Sequence, residues 1–213
     1  MNYILALSLL SFLFGDLIQP ENGEDLKYIH ILFEWEQEPN AVAYNLQLST
    51  SNSFNSIIAD IIEQKTAYIE KEVVGWDGSY YWRVRPVYND DSYGNWINTS
   101  YFTTNESVLI NLDIENYNSQ LLQDGLLIYS QFLPYLACGV VDKNGNEIWN
   151  SESKFMNHVN EYGQMYGITQ IGNSASGIKF NFDDEILWAT PQGTDVDSHE
   201  VKQLPNGNYM AFV

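Results

Sequence analysis

VVDKNGNEIW, residues 140–149, returns in altered form as IKFNFDDEILW, residues 178–188. Both stretches run from apolar residues through a polar turn to an acidic residue, a branched apolar residue or pair, and tryptophan. Trp149 and Trp188 therefore lie 39 positions apart in the sequence. A pattern that returns at a fixed spacing indicates a repeated structural unit, here a hairpin that ends in tryptophan.

Glycine turns recur with a matching spacing. Leu-x-[Asp/Asn]-Gly followed by apolar residues occurs at 122–128 and again at 204–210, and Gly163 lies near the midpoint between the two. The pair Asn144-Gly145 predicts a tight turn, because Asn-Gly accepts positive φ at both central positions. Internal similarity at about 40 residues, with several short strands in each unit, is typical of β-propeller blades.

The second half of the chain, 106–213, predicts an incomplete propeller. A closed ring needs at least four blades of about 40 residues, and this segment holds two blades and the start of a third. Because the sequence also ends within the apolar run NYMAFV, we expect it to be the truncated N-terminal part of a longer protein. In this prediction Trp149 and Trp188 are buried at equivalent places in adjacent sheets.

From about residue 26 to 104 the hydrophobic period is two, which is typical of half-buried strands. IHILFEWEQ, AVAYNLQLST and YYWRVRPVY all alternate in this way. With Trp35 in an early strand, WDGSYYWRVRPV as the sixth strand and GNW in the last loop, the segment resembles a fibronectin type III domain. The resemblance implies a fibronectin type III or immunoglobulin-like β-sandwich at 26–105 that acts as a spacer or docks a protein or glycan partner.

The first residues predict export. Tyr3 to Phe14 form an apolar run broken by two serines, which has the length of a signal peptide and is too short to span a bilayer. We predict a signal peptide at 1–15, a linker at 16–25 and no transmembrane segment. The expected location is periplasmic, cell-surface or secreted.

Charge and residue counts exclude some functions. A net charge of −19 disfavours nucleic acid, which is bound by clustered Lys and Arg. Cys138 is the one cysteine, so no internal disulfide forms, and its apolar neighbours predict a small buried side chain. The acidic turns at 142–147 and 181–185 miss the spacing of a calcium loop, and no metal or cofactor is predicted. His158 is predicted to lie at the surface or in a loop.

The sequence suggests a more specific role for one histidine. HEVKQLPNGNYM, residues 199–210, is similar to the His-[Asp/Glu]-x-x-x-Leu-Pro-Asn-Gly-Asn element of the arylsulfate sulfotransferases, and DKNGNEIWNS resembles a blade strand of that family. The resemblance implies an exported six-bladed propeller behind a small β domain. It also implies transfer of a sulfuryl group from an aryl sulfate to a phenolic acceptor through a sulfated histidine, without a nucleotide donor.

His199 is the candidate catalytic residue, and its role as nucleophile or accessory donor stays open. Ser198 stands where the family often has a second histidine, and no arginine follows Arg85, so we expect this chain to be inactive by itself. The alternative is a non-enzymatic cell-surface or secreted binding or adhesion protein. In that case His199 ties a loop to Asp197 or Glu200, whereas an enzyme places it towards a central channel.

Overall fold

The computed structural model describes residues 15–109, 118, 121, 125–171 and 174–213. These residues form seventeen β-strands and no helix, so the described chain contains no helix that could cross a membrane. The protein is therefore all-β over the described residues, as predicted. Residues 1–14 of the predicted signal peptide, and 122–124 of the first glycine motif, lie outside the described residues.

The chain divides into two compact units, each built from interleaved segments. Unit 1 comprises the described part of 1–24 together with Ile31–Val73 and Gly78–Thr103. Unit 2 comprises Asp25–His30, Val74–Asp77 and Thr104–Val213.

The first eight strands form two antiparallel sheets. Their bounds are β1 (Leu17–Gln19), β2 (Glu24–Leu26), β3 (Ile31–Trp35), β4 (Ala43–Ser49), β5 (Ile57–Glu63), β6 (Ala67–Glu70), β7 (Ser79–Val87) and β8 (Ile97–Thr104). One sheet has the order β1-β3-β6, and the other has the order β2-β8-β7-β4-β5. This arrangement agrees with the predicted fibronectin type III-like sandwich.

The aromatic side chains of β3 join the two sheets of unit 1. Phe33 is fully buried and packs edge-on against Trp82 of β7 and Phe102 of β8, with ring centroids 5.0 and 6.0 Å away. Trp35 packs in the same way against Tyr44 of β4, at 5.5 Å. Each such pair contributes about 0.5–1.5 kcal/mol beyond the burial of its area, so these contacts anchor the sandwich core. The period-two prediction for this strand is confirmed.

Strand β4 departs from the predicted half-buried pattern, because every one of its side chains is buried. It lies between β5 and β7, and its polar face is covered by their side chains. Asn45 and Gln47 donate from their amide nitrogens to the two carboxylate oxygens of Asp60, at 2.6 and 2.9 Å. Hydrogen bonds of this kind allow polar side chains to be buried, which alternation alone does not reveal.

The segment predicted as a linker, 16–25, instead begins the sandwich. It contains β1 and most of β2, and Leu17 of β1 is paired with Trp35 of β3. The two end residues of β1 are half-buried, and this partial burial favours pairing of the short strand with the sheet.

Unit 2 contains two antiparallel meanders followed by a hairpin, in chain order. Their strands are β9 (Leu127–Gln131), β10 (Ala137–Val141), β11 (Glu147–Glu152), β12 (Lys154–Val159), β13 (Met165–Ile171), β14 (Ser174–Phe180), β15 (Ile186–Ala189), β16 (Val201–Gln203) and β17 (Tyr209–Ala211). The sheets are β9-β10-β11, β12-β13-β14-β15 and β16-β17. By position in the sequence repeat, β9-β10-β11 corresponds to β13-β14-β15.

Four hairpins of unit 2 share one turn. In the first, the amide of Gly145 donates to Asp142 O at 3.1 Å, and the amide of Asp142 donates to Asn146 O at 2.9 Å. Gly145 has φ 82°, whereas Asn144 is not left-handed, so the predicted Asn-Gly turn with two positive φ values is wrong. The turn holds three residues, of which the last is left-handed and adds a bulge. The same position is filled by Gly163, Asp184 and Gly207.

An additional segment lies along the outer edge of β11. The amide of Ile29 donates to Ile148 O and that of Asn150 donates to Lys27 O, both at 3.0 Å. Tyr28 forms an antiparallel bridge with Trp149. Residues 27–29 thus take the place of a fourth strand beside β9-β10-β11.

The two repeat tryptophans are buried to different extents. Trp149 is 4% exposed, and its Nε1 donates to Phe182 O at 2.6 Å. Trp188 is only half-buried and stacks on Tyr209 with ring centroids 3.6 Å apart. The predicted burial is therefore wrong for Trp188. The two tryptophans differ because the outer edge of β11 is covered by residues 27–29, whereas β15 pairs only with β14 among the described strands.

Candidate functional site

His199 lies in the connection between β15 and β16, and its side chain is 82% exposed. Its Nδ1 contacts Asp197 Oδ1, and its backbone amide donates to the same oxygen at 2.9 Å. These hydrogen bonds from His199 lower the pKa of the Asp197 carboxyl. Because an ionised carboxylate only accepts, Nδ1 carries the proton and Nε2 is left facing away from this partner.

The loop that carries His199 is held by its neighbours. Asn157 of β12 donates from Nδ2 to Ser198 O at 2.7 Å. Val196 is 4% exposed and packs in one cluster with Ile168 of β13 and Val201 of β16. A loop anchored by one buried side chain and a side-chain hydrogen bond presents its tip in a defined position.

A groove of about 680 Å³ lies beside this loop. Its walls come from the β9–β10 connection, the β13–β14 hairpin and the His199 loop. His199 itself does not line it. The lining residues are Phe132, Pro134, Tyr135, Leu136, Ile168, Gln170, Ala175, Asp195, Val196, Asp197, Ser198 and Val213.

The chemistry of the groove is aromatic and acidic. Phe132 and Tyr135 are 51% and 46% exposed, and the Tyr135 hydroxyl donates to Val108 O at 2.9 Å. Asp195 and Asp197 supply the charge, and none of the described residues that line the groove is a lysine or arginine. Aromatic faces and carboxylates suit a hydroxyl-rich neutral ligand or a cation, and they repel a sulfate group.

Sequence reasoning missed a buried charge cluster around Asp184. Its carboxylate accepts hydrogen bonds from the ammonium groups of Lys154 and Lys27 and from the hydroxyl of Ser151. The side chains of Lys154 and Asp184 are 9% and 14% exposed. Burial raises the pKa of Asp184, but the hydrogen bonds from the two lysines and Ser151 outweigh it, and the pKa lies below its ordinary value. The sequence did contain one indication of this cluster, because Asp184 occupies the repeat position at which the earlier unit has Gly145.

Two other residues lie where the sequence predicted them. Cys138 is fully buried, and burial raises the pKa of its thiol to about 12, so the prediction of an inert core side chain is confirmed. His158 is exposed on β12 and stacks on Tyr166 at 5.0 Å, as predicted for a surface histidine. In the part of the chain that the structure describes, no group of three or more His, Cys, Asp or Glu side chains is arranged to hold a metal ion.

Comparison with known protein families gives no match, and comparison with curated proteins gives none either. Among solved structures, a fibronectin type III-like protein from Clostridium thermocellum is 21% identical, with a TM-score of 0.33 over 44% of this chain and 93% of that chain. A fibronectin type III domain from the human KIAA0970 protein is 14% identical, with a TM-score of 0.34 over 48% of this chain and 76% of that chain. Both likenesses concern fibronectin type III-like domains.

Proposed function

We propose that this is an exported, non-enzymatic binding protein whose second unit is built from propeller blades and holds a neutral, hydroxyl-rich ligand, such as a glycan, in the groove. The observation that carries the proposal is the lining, in which the exposed Phe132 and Tyr135 occur together with Asp195 and Asp197, and none of the described lining residues is a lysine or arginine. Sugar rings stack on aromatic faces, and their hydroxyl groups donate to carboxylates. The sandwich serves as spacer or second docking surface.

The blade assignment rests on three features of unit 2. The small sheets follow one another in chain order, and β9-β10-β11 has the same turn in the same place as β13-β14-β15. Each repeat tryptophan contacts a ring from the next sheet along the chain: Trp149 contacts Phe182, and Trp188 stacks on Tyr209. Sequential small sheets joined face to face by large side chains are what a propeller requires.

Titration calorimetry with cellohexaose, laminarihexaose and chitohexaose tests the proposal. At least one of these oligosaccharides is expected to bind, and Phe132→Ala is expected to weaken its binding by tenfold or more, about 1.4 kcal/mol. Tyr162→Ala is the matched control, because Tyr162 is a 78% exposed aromatic residue outside the groove. Absence of heat with all three sugars, or equal losses in both variants, would count against a glycan groove.

Sulfuryl transfer is the second candidate function, and one observation favours it. With Nδ1 held by Asp197, the free Nε2 of His199 is the nitrogen that attacks sulfur. The new N–S bond forms as the aryl O–S bond breaks, and the phenolate leaves and takes a proton from water. The acceptor phenol then loses its proton to water as its oxygen attacks sulfur and the N–S bond breaks, which restores the neutral histidine. The exposure of His199 and the acidic groove beside it make this the weaker proposal.

A chromogenic assay separates the two candidates. Release of 4-nitrophenol from 4-nitrophenyl sulfate in the presence of phenol, lost in His199→Ala, would establish transfer and displace the binding proposal. No release from folded protein that still binds an oligosaccharide would leave His199 as a loop residue.

A further inference from the structure

Both arginines of the sequence lie on one face of unit 1 and are interleaved with aromatic rings. Arg83 and Arg85 are alternate residues of β7, so their side chains leave the sheet on the same side. The guanidinium of Arg83 lies 3.8 Å from the ring centroid of Phe54 and 4.1 Å from that of Trp96. Arg85 lies 4.2 Å from Trp96 and 4.0 Å from Tyr93. The result is a stack of five alternating planes, which we call the arginine ladder.

Neutral amides hold the ladder from the neighbouring strand. Arg83 donates from Nε and Nη2 to Gln47 Oε1 at 3.1 and 2.7 Å. Arg85 donates from Nε to Asn45 Oδ1 at 2.9 Å. Asp60, whose charge acts on Arg83, accepts from these two amides and not from the guanidinium groups. These hydrogen bonds fix the orientation of both guanidinium groups, and the amide partners carry no charge of their own.

The arginines of the ladder form no direct ion pair within the described residues. None of the described carboxylates forms an ion pair with either arginine, although the sequence contains 28 acidic residues. Burial and then the neighbouring Arg85 lower the pKa of Arg83, and the charge of Asp60 opposes them only in part. The Nη1 of Arg83 and both Nη groups of Arg85 have no hydrogen-bond acceptor among the described residues.

We propose that the arginine ladder is a binding site for a carboxylate presented by a peptide partner. A guanidinium fork matches a carboxylate with two parallel hydrogen bonds, and the stacked rings keep the forks rigid, so little side-chain entropy is lost on binding. Tyr93 is 51% exposed and offers an apolar flank beside Arg85. An anionic ligand also relieves the repulsion between the two guanidinium groups.

A peptide carboxylate fits the ladder better than an extended polyanion such as a sulfated glycan. Binding a polyanion requires many cations along its length, and the ladder provides two. The net charge of −19 further repels a long anionic chain, whereas a single carboxylate feels the local field of the two arginines.

The test uses the fact that only two arginines exist, so the ¹H–¹⁵N spectrum of arginine Nε groups contains two signals. The whole protein is titrated at constant ionic strength with sodium acetate, with an acetylated Glu-Ala-Glu-Ala-Glu peptide, with a heparin hexasaccharide, and with sodium chloride alone. Acetate and the peptide are expected to shift both signals saturably, and the peptide is expected to bind at least tenfold more tightly than acetate.

Two outcomes overturn the proposal. One is the absence of any saturable shift with acetate and peptide, and the other is tighter binding of the heparin hexasaccharide than of the peptide, which would assign the ladder to polyanions. Arg85→Lys, which keeps the charge but loses the fork, is expected to lower peptide affinity at least fivefold, and Lys65→Gln serves as the charge control. If Arg85→Lys does not fold, the wild-type titration still decides.

Discussion

Asp184 occupies the same turn position as Gly145, 39 places earlier in the repeat, and both are left-handed, with φ 66° and 82°. Glycine adopts this conformation at no steric cost, whereas a residue with a side chain is strained there by about 1–3 kcal/mol. The Asp184 carboxylate offsets that strain, because it binds Lys154, Lys27 and Ser151. The charge cluster and the strained turn therefore depend on each other.

Replacing Asp184 by Asn is expected to lower the free energy of unfolding by about 3–5 kcal/mol, because it leaves the buried ammonium of Lys154 without a counter-charge. Asn tolerates the left-handed turn, so the loss reports on charge. Urea denaturation followed by tryptophan fluorescence measures it. Asp183→Asn, at an exposed neighbour, is the control and should stay within about 0.5 kcal/mol of wild type. If Asp184→Gly were more stable than wild type, backbone strain would dominate and this account would be wrong.

Stability is also expected to fall steeply in acid. The pKa of Asp184 is lower in the folded protein than in the unfolded chain, so the unfolded chain binds more protons at low pH. The stabilisation is complete above the unfolded value of about 3.9 and is lost as the pH falls through the folded pKa. Urea midpoints between pH 2.5 and 6 measure this slope. Asp184→Asn should flatten it, and parallel curves for the two proteins would exclude Asp184 as a source.

Gly167→Ala is expected to destabilise unit 2 by about 1–3 kcal/mol or more. A Cβ at this position of β13 would lie 1.9 Å from the carbonyl oxygen of Phe155 on β12, and backbone cannot move aside cheaply. Gly125→Ala is the matched control, since a Cβ there meets nothing within 4 Å. Thermal unfolding by circular dichroism compares the variants. Equal melting temperatures would mean that the β12–β13 pair adjusts freely.

Cys138 is expected to resist thiol reagents in the folded protein. Only the thiolate reacts, and a pKa of about 12 together with complete burial leaves almost none of it accessible at pH 8. Ellman's reagent should give no signal in buffer and one thiol per chain in concentrated urea. Prompt labelling in buffer would show that the sheet β9-β10-β11 opens readily.

The features that sequence predicted well are those set by local patterning. The alternation of β3 reports its burial directly, and the repeat spacing of Trp149 and Trp188 places both in the last strand of a meander. The predictions that failed concern burial that depends on partners distant in the chain. The polar face of β4 is buried because Asp60 lies on the adjacent strand, and Trp188 is half-buried because nothing described covers the edge of β15.

The candidate site was predictable only in part. The motif identified His199, and pairing with Asp197 was one of the two predicted alternatives. Periodicity does not predict how a loop is oriented, and the groove takes its residues from three separated segments. The arginine ladder was hidden for a similar reason. Alternate positions on β7 predict that Arg83 and Arg85 share a face, whereas the rings that enclose them come from other parts of the chain.

The pairing of residues 27–29 with β11 has a consequence for how this protein can be divided into fragments. Unit 2 takes Asp25–His30 and Val74–Asp77 from within the stretch of chain that builds unit 1, so neither unit is one contiguous segment of the sequence. A fragment that starts after residue 105 loses the partner of β11 and one of the two lysines on Asp184. A fragment that is meant to contain all of unit 2 must therefore keep residues 25–30 and 74–77.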